Sequence, residues 1–410
     1  MSKDQKIVGI DVGTTYTRVV SSVIKGDNPI PQIIGVGVRP SSGIRKGVVI
    51  DIEETVSTIT ACIEEAERTS GEPIDHAFLS IGGSTIGSQV QKGVVAISRP
   101  DGEINETDVD RVIESSQNFT LPGNRQVLRV IPRYFNVDDQ SGIKDPTGMS
   151  GIKLEVNAYV ITAASHAVKN LTRCVHQTGI DVDDLIPDFL ASSEVVLSKR
   201  QKELGVVMID IGGGTVSLVV YEEGNIIHSA VLPVGANHIT NDIAIGLRTS
   251  IDMAEKLKLE YGSCLSEDIS KNEKIDLSKI SKTEDHVISR YQLGQIIEAR
   301  MTEIFQLVYE ELRKIDRAGM LPAGAIITGG GAKLPGIVDL AKSTLGLPAQ
   351  VGFPLNLEGM TDKVDDPSFA CAVGLIYWGA KTGSNIYSLG NLNLGDTVNT
   401  VKNWFKSLMS

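Results

Sequence analysis

The sequence predicts an α/β fold of two related lobes around a cleft, and three observations carry the prediction. A strand–turn–strand unit occurs twice, as IVGIDVGTTYTRVV at 7–20 and as VVMIDIGGGTVSLVVY at 206–221. Each copy is a β-rich run ending in Asp, then a Gly- and Thr-rich turn, then a second β-rich run, and the copies lie about half a chain apart. A third glycine turn, Gly329–Gly331, follows the strand-like run Ala325–Thr328, with a helix expected from near Pro335.

The elements between these turns follow from periodicity. Val56, Ile59, Ile63 and Ala66 recur at helical spacing within Ile52–Ser70. Residues 85–163 alternate in short β runs, with one helix around Glu106–Ser116 for which Asn105 is the expected N-cap. A helix carries the basic stretch Lys256–Lys258, and the polar segment Ser263–Asp285 reads as an exposed loop or short hairpin. Arg290–Ile315 is the strongest helix, with Leu293, Ile296, Ile297, Met301, Ile304, Phe305, Val308 and Leu312 at helical intervals. Lys381–Asp396, rich in Gly, Asn, Ser and Leu, reads as a flexible linker.

Residues 397–410 read differently. As a helix they place Val398, Val401, Trp404, Phe405, Leu408 and Met409 on an apolar arc of about 140°, with Lys402 and Lys406 at one edge. An aromatic-bearing face with flanking lysines suits the surface of a membrane; the alternative is a helix docked on the protein's own core.

Composition bounds the rest. The chain has 410 residues, enough for two or more lobes. With 39 Lys and Arg against 51 Asp and Glu the formal net charge is −12, so no global attraction for nucleic acid is expected. Cys62, Cys174, Cys264 and Cys371 show no C-x-x-C spacing, so buried reduced thiols are expected rather than a zinc or redox site. The N-terminus MSKDQK has no signal-peptide pattern, and no apolar run reaches the roughly 18–20 residues of a membrane span, so a cytoplasmic location is expected.

Two Asp-Gly hairpins facing one another form a grip for a nucleotide triphosphate. Gly13, Gly212, Gly213 and Gly214 let backbone N–H groups approach phosphate oxygens, and Thr14, Thr15 and Thr215 add hydroxyl donors. Asp11 and Asp210 supply hard carboxylates suited to Mg²⁺ through its waters. Gly329, Gly330 and Gly331 leave room for the adenosine and the first phosphate. There is no G-x-x-x-x-G-K-[ST] loop, and the glycines lack G-x-G-x-x-G spacing, so P-loop and dinucleotide-binding readings fail.

On these motifs the sequence resembles the actin-like ATP-binding superfamily. The resemblance implies two α/β lobes with ATP and Mg²⁺ between them. It places Asp188, in PDFLASS at 187–193, where many members carry the acidic residue that orients the attacking water. The alternative for Asp188 is a surface loop carboxylate. It also likens AEKLK at 254–258 to the helix whose Glu and Lys contact ribose and adenine, here Glu255 and Lys258. The chaperone-like Glu-Pro is Asp-Phe here, and a carboxylate one methylene shorter implies slow hydrolysis at most.

The run IPRYFNVDDQSGIKDPTGMSGIKLE at 131–155 narrows the resemblance to the FtsA family of bacterial actin-like division proteins. Gly205–Tyr221 and 352–374 are similar to that family as well. The resemblance implies 1–84 and 164–204 as the first lobe and 85–163 as an inserted α+β interaction subdomain. It implies 205–250 and 321–380 as the second lobe and 251–320 as its partner-binding upper part, with 381–396 as linker and 397–410 as a membrane-targeting helix. It further implies filaments of the protein itself on the inner membrane face at the division site, other division proteins bound through 85–163, and the C-terminal peptide of FtsZ docked near the helix at Arg290–Ile315. Arg290 and Arg300, some 80° apart around that helix, are the candidate cations, against the alternative of an ordinary solvated face. Competing readings are a PilM-like pilus adaptor, a small-molecule kinase and a chaperone ATPase of the same fold.

Overall fold

The computed structural model describes residues 4–26, 30–280 and 287–382. The chain opens with the antiparallel meander β1 (Gln5–Val12), β2 (Tyr16–Ile24) and β3 (Gln32–Pro40). A small hairpin, β4 (Ile44–Arg45) and β5 (Val48–Val49), leads to α1 (Ile52–Ser70) and β6 (His76–Ile81). Then come β7 (Gly87–Ala96), α2 (Glu106–Ser115), β8 (Arg125–Val137), β9 (Gln140–Ile143) and β10 (Lys153–Ala164). The first lobe resumes with α3 (Ser165–Gln177), β11 (Asp181–Pro187), α4 (Asp188–Val196) and α5 (Lys199–Leu204).

A second meander follows, β12 (Val206–Ile211), β13 (Val216–Glu222) and β14 (Asn225–Leu232), then α6 (Ala236–Leu247) and α7 (Ile251–Tyr261). The short hairpin β15 (Lys274–Asp276) and β16 (Val287–Ser289) precedes α8 (Arg290–Lys314). The described chain finishes with β17 (Ala325–Thr328), α9 (Ile337–Leu345), β18 (Ala349–Val351), β19 (Glu358–Gly359), α10 (Thr361–Val364) and α11 (Ala370–Thr382).

The repeat in the sequence is a repeat in topology. The first sheet runs β11-β6-β1-β2-β3-β19 and the second β14-β13-β12-β17-β18. In both, the first strand of the meander takes a parallel neighbour on its other side, β6 beside β1 and β17 beside β12, and a further parallel strand follows. One apolar core fills the first lobe and continues under one face of the second sheet, a second core lies on the other face of that sheet, and the inserted sheet β7-β10-β8-β9 has a third, closed on one face by α2.

Local chemistry explains the element ends. Asp51 caps α1 by accepting from Glu54 N at 3.0 Å, and Gly71 ends it in the left-handed region at φ 75°. Asn105 caps α2 within a capping box with Asp108. The inserted strands are longer than the short runs expected: β8 has 13 residues and β10 has 12. The register shifts between Asn157 and Ala158, which pair with Tyr134 and Pro132, so Arg133 bulges out and the ladder carries Pro132 without ending. Helix α9 starts at Ile337, just after Pro335, because Gly336 at φ 78° turns the chain first.

Helices α4 and α11 pack side by side in the first core. A Cβ on Gly374 of α11 would lie 1.9 Å from the Ala191 carbonyl of α4, so only glycine permits this crossing. Helix α11 runs two residues into the segment expected as linker, because Lys381 pairs with Glu194 of α4. Lys202 of α5 reaches the same carboxylate at 2.9 Å. Burial pushes the Glu194 carboxyl up, but the two lysines outweigh it and hold it at about 2. The rest of the expected linker and the amphipathic helix at 397–410 lie outside the described residues. No helix among the described residues is long and apolar enough to cross a membrane.

Candidate functional site

Asp11 and Asp210 are the next-to-last residues of β1 and β12, so the repeat places both carboxylates at the same edge of their sheets. The turns that follow are closed by the same hydrogen bond, Gly13 N to Tyr16 O at 3.2 Å and Gly212 N to Thr215 O at 2.9 Å. The two turns abut. A Cβ on Gly213 would lie 1.9 Å from Thr15 Oγ1, and one on Gly214 would lie 2.7 Å from Thr14 Oγ1. Thr15 Oγ1 also donates to Asn237 Oδ1 of α6 at 3.2 Å, and Gly47 N donates to Thr14 Oγ1 at 3.0 Å.

Around the turns is a cleft of about 560 Å³, the size of a small-ligand site. It brings together Asp11, Gly13, Thr14, Thr15, Asp188, Asp210, Gly212, Gly213, Thr215, Glu255, Lys258 and Gly329 to Gly331. Gly329 has φ 82°, and a Cβ there would lie 2.3 Å from Asp210 Oδ1, so the third turn closes directly on the second carboxylate. Lys258 is buried, with Nζ 2.6 Å from Glu255 Oε2 and 2.8 Å from Thr240 Oγ1. Both residues line the cleft.

Asp188 is the first residue of α4 and stands in the cleft, not on a surface loop. Each of the three cleft aspartates takes one serine hydroxyl at 2.8 Å: Ser80 donates to Asp11, Ser192 to Asp210 and Ser217 to Asp188. Burial and the neighbouring charge of Asp210 push the Asp188 carboxyl up to about 7, against the hydrogen bond from Ser217. Burial and Asp11 push Asp210 up to about 6, against the bond from Ser192. Burial, with the carboxylates Asp11, Asp188 and Asp210 behind it, also raises the Cys371 thiol at the start of α11. All four cysteines are buried and free of disulfides.

Among the described residues no three His, Cys, Asp or Glu side chains gather closely enough to cage a metal. Asp11 and Asp210 are the residues that would hold Mg²⁺ here, through its own waters, the mode that ion prefers. The glycines of the second and third turns leave room for phosphates to approach the backbone.

Two groups of residues missed by the sequence reading stand out. Arg18, directly across the ladder from Asp11, lines the cleft with its guanidinium 5.4 Å from the Tyr16 ring and 5.3 Å from the Phe369 ring. Its Nε is buried without a hydrogen-bond partner among the described residues. Its place two residues beyond the first turn was the available signal. The serines had none, because their partners lie on other elements. Arg290 and Arg300 are outside the cleft and both engaged: Arg290 with Glu273 at 2.7 Å, Arg300 with Asp242 at 2.5 and 3.0 Å and with Glu303 at 2.6 Å.

Comparison with known proteins decides the family. A family model described as "Cell division protein FtsA" matches residues 207–374, and one described as "SHS2 domain inserted in FTSA" matches 83–162. The cell division protein FtsA of Pseudomonas aeruginosa is 37% identical over 383 residues, 93% of this chain and 91% of its own length. This chain belongs to the FtsA family of cell division proteins. FtsA of Bacillus subtilis is 38% identical over 93% of this chain and 85% of its own, and FtsA of Escherichia coli 33% over 98% and 96%.

Solved structures show that this chain has the actin-like fold. The PilM–PilN type IV pilus biogenesis complex aligns with a TM-score of 0.66 at 18% identity over 90% of this chain and 97% of its own. MreB5 of Spiroplasma citri bound to ADP aligns with a TM-score of 0.52 at 15% identity over 90% and 94%. The FtsA model spans Asp210, the second turn, Glu255, Lys258 and the third turn, and the SHS2 model spans most of the sheet β7-β10-β8-β9.

The raised Asp188 value has a measurable sign. Its carboxyl keeps a proton in the native state up to about 7 but releases it near the ordinary 3.8 when unfolded, so ligand-free native protein loses stability as pH rises between those values. Asp188→Asn does not titrate. Its melting temperature relative to wild type is expected to climb from pH 4 to 7 and level off above. A difference that stays constant over that range contradicts the assignment.

Proposed function

We propose that this protein binds Mg²⁺-ATP in the cleft, assembles into filaments at the inner face of the cell membrane and holds FtsZ filaments there during division. The observation that carries the reading is the abutting pair of glycine turns with Asp11 and Asp210 beside them in one cleft. Glu255 and Lys258 take the ribose and base, and the glycines at 329–331 the adenosine and first phosphate. Asp188 orients water beside the terminal phosphate, with hydrolysis slow at most. Membership of the FtsA family supports the division role, and MreB5 of Spiroplasma citri, solved with ADP and with AMPPNP, supports the nucleotide.

Residues 397–410 supply the membrane contact in this reading. Burying about five of their apolar side chains gains roughly 10 kcal/mol gross, and ordering about a dozen residues costs a comparable amount. A single helix therefore binds weakly and reversibly. A filament arrays many copies on one surface, and avidity then multiplies affinity by ~10²–10⁴. Sedimentation with anionic vesicles tests this: the full chain is expected to pellet more in ATP than in ADP, and deletion of 397–410 to abolish the pelleting. Pelleting of the truncated chain with lipid contradicts it.

The subdomain around α8 takes the FtsZ tail, and other division proteins bind the inserted sheet. A peptide carboxylate that uses Arg300 has to displace Asp242, which holds the guanidinium through two bonds. Capture of the FtsZ C-terminal peptide is therefore expected to weaken in Arg300→Glu and to strengthen in Asp242→Asn. Equal capture by both variants and the wild type removes Arg300 from the docking site.

A further inference from the structure

Helix α4 is tied to the second-lobe hairpin by two hydrogen bonds that run in opposite directions. Ser217 Oγ on β13 donates to Asp188 Oδ2 of α4, and Ser192 Oγ of α4 donates to Asp210 Oδ2 on β12, both at 2.8 Å. Asp188 and Ser192 are one helical turn apart and share a face. Asp210 and Ser217 are direct partners across the β12–β13 ladder, so both project from the same side of the sheet. The four side chains close a rectangle to which each element contributes one carboxylate and one hydroxyl.

The rectangle is not a by-product of the repeat. In the first hairpin the residue opposite Asp11 is Arg18, and Asp11 takes its hydroxyl from Ser80 on the neighbouring strand β6. Only the second hairpin pairs its carboxylate with a serine and meets a helix carrying the complementary pair. Ser192 is 0% exposed and Ser217 2%, so neither hydroxyl has bulk water as an alternative partner. Each serine bond engages one oxygen of its carboxylate; Asp188 accepts a second bond at its other oxygen, Oδ1, from Phe189 N at 2.7 Å.

We propose that Ser192 and Ser217 are a coupled pair of positioning residues: Ser192 aims Asp210 at the hydration shell of the metal, and Ser217 holds Asp188 for water beside the phosphates. The coupling follows from the closed geometry. A shift of Asp210 on metal binding moves Ser192, hence α4, hence Asp188 at the start of that helix, while Ser217 transmits the same shift along the ladder. This inference rests on the Mg²⁺-ATP reading of the cleft.

Calorimetric titration of the full chain with ATP, in Mg²⁺ and in excess EDTA, separates the two claims. Ser192→Ala is expected to lose roughly tenfold in Mg²⁺-supported affinity, the size of one hydrogen bond to a charged group, and to match wild type in EDTA. In an Asp210→Asn background Ser192→Ala is expected to cost nothing more. Ser217→Ala is expected to lose a smaller part of the Mg²⁺ increment, and the double serine variant to lose less than the product of the single losses. Melting of each ligand-free variant reports its folding, and Ser217→Ala reads the coupling on its own if Ser192→Ala does not fold. Equal weakening with and without Mg²⁺, no weakening, or strictly multiplicative losses overturns the proposal. Absence of Mg²⁺-dependent binding in the wild type overturns the nucleotide reading instead.

Discussion

The turn after β12 rests against the turn after β1 with no space for a side chain on the second. Thr15 fills the place where a Cβ of Gly213 would stand, and Thr14 crowds that of Gly214. This contact brings the two hairpin turns together at the cleft. Because each Asp precedes its turn at the same strand position, bringing the turns together also brings the carboxylates to one floor. Burial, with Asp210 beside Asp188 and Asp11 beside Asp210, raises both carboxyls, while the Arg18 guanidinium opposes the rise at Asp210.

Two helices lead away from this floor. Both α4 and α11 begin in the cleft, at Asp188 and Cys371, and near their other ends both reach the ion-pair cluster of buried Glu194 and Lys202 with half-buried Lys381. The glycine contact at Gly374 keeps the pair packed as one body. Lys381 is also next to the point where the C-terminal segment departs.

What the sequence made legible was whatever is local. The repeated Asp-turn pattern, the Ile52–Ser70 helix and the Asn105 cap all depend on neighbours within a few residues, and the structure has them where expected. The Gly329–Gly331 turn was legible for the same reason. The serine partners of the carboxylates were not, because each bond joins elements that only the tertiary fold brings together. The length of β8 was hidden by Pro132, whose accommodation depends on a bulge opposite β10. Arg290 and Arg300 looked like available cations because Glu273 and Asp242, which hold them, lie on other elements. The role in division came from resemblance in the inserted run, since that sheet carries no chemistry that composition alone would reveal.

The central claim is that the two carboxylate-bearing turns and the third glycine turn enclose one Mg²⁺-nucleotide. The most direct measurement is a crystal structure of the full chain grown with Mg²⁺ and a non-hydrolysable ATP analogue. The account predicts phosphates between residues 13–15 and 212–215, the metal's waters on Asp11 and Asp210, and the base against Glu255 and Lys258. Nucleotide bound at any other surface, or a metal shell that touches neither aspartate, contradicts it.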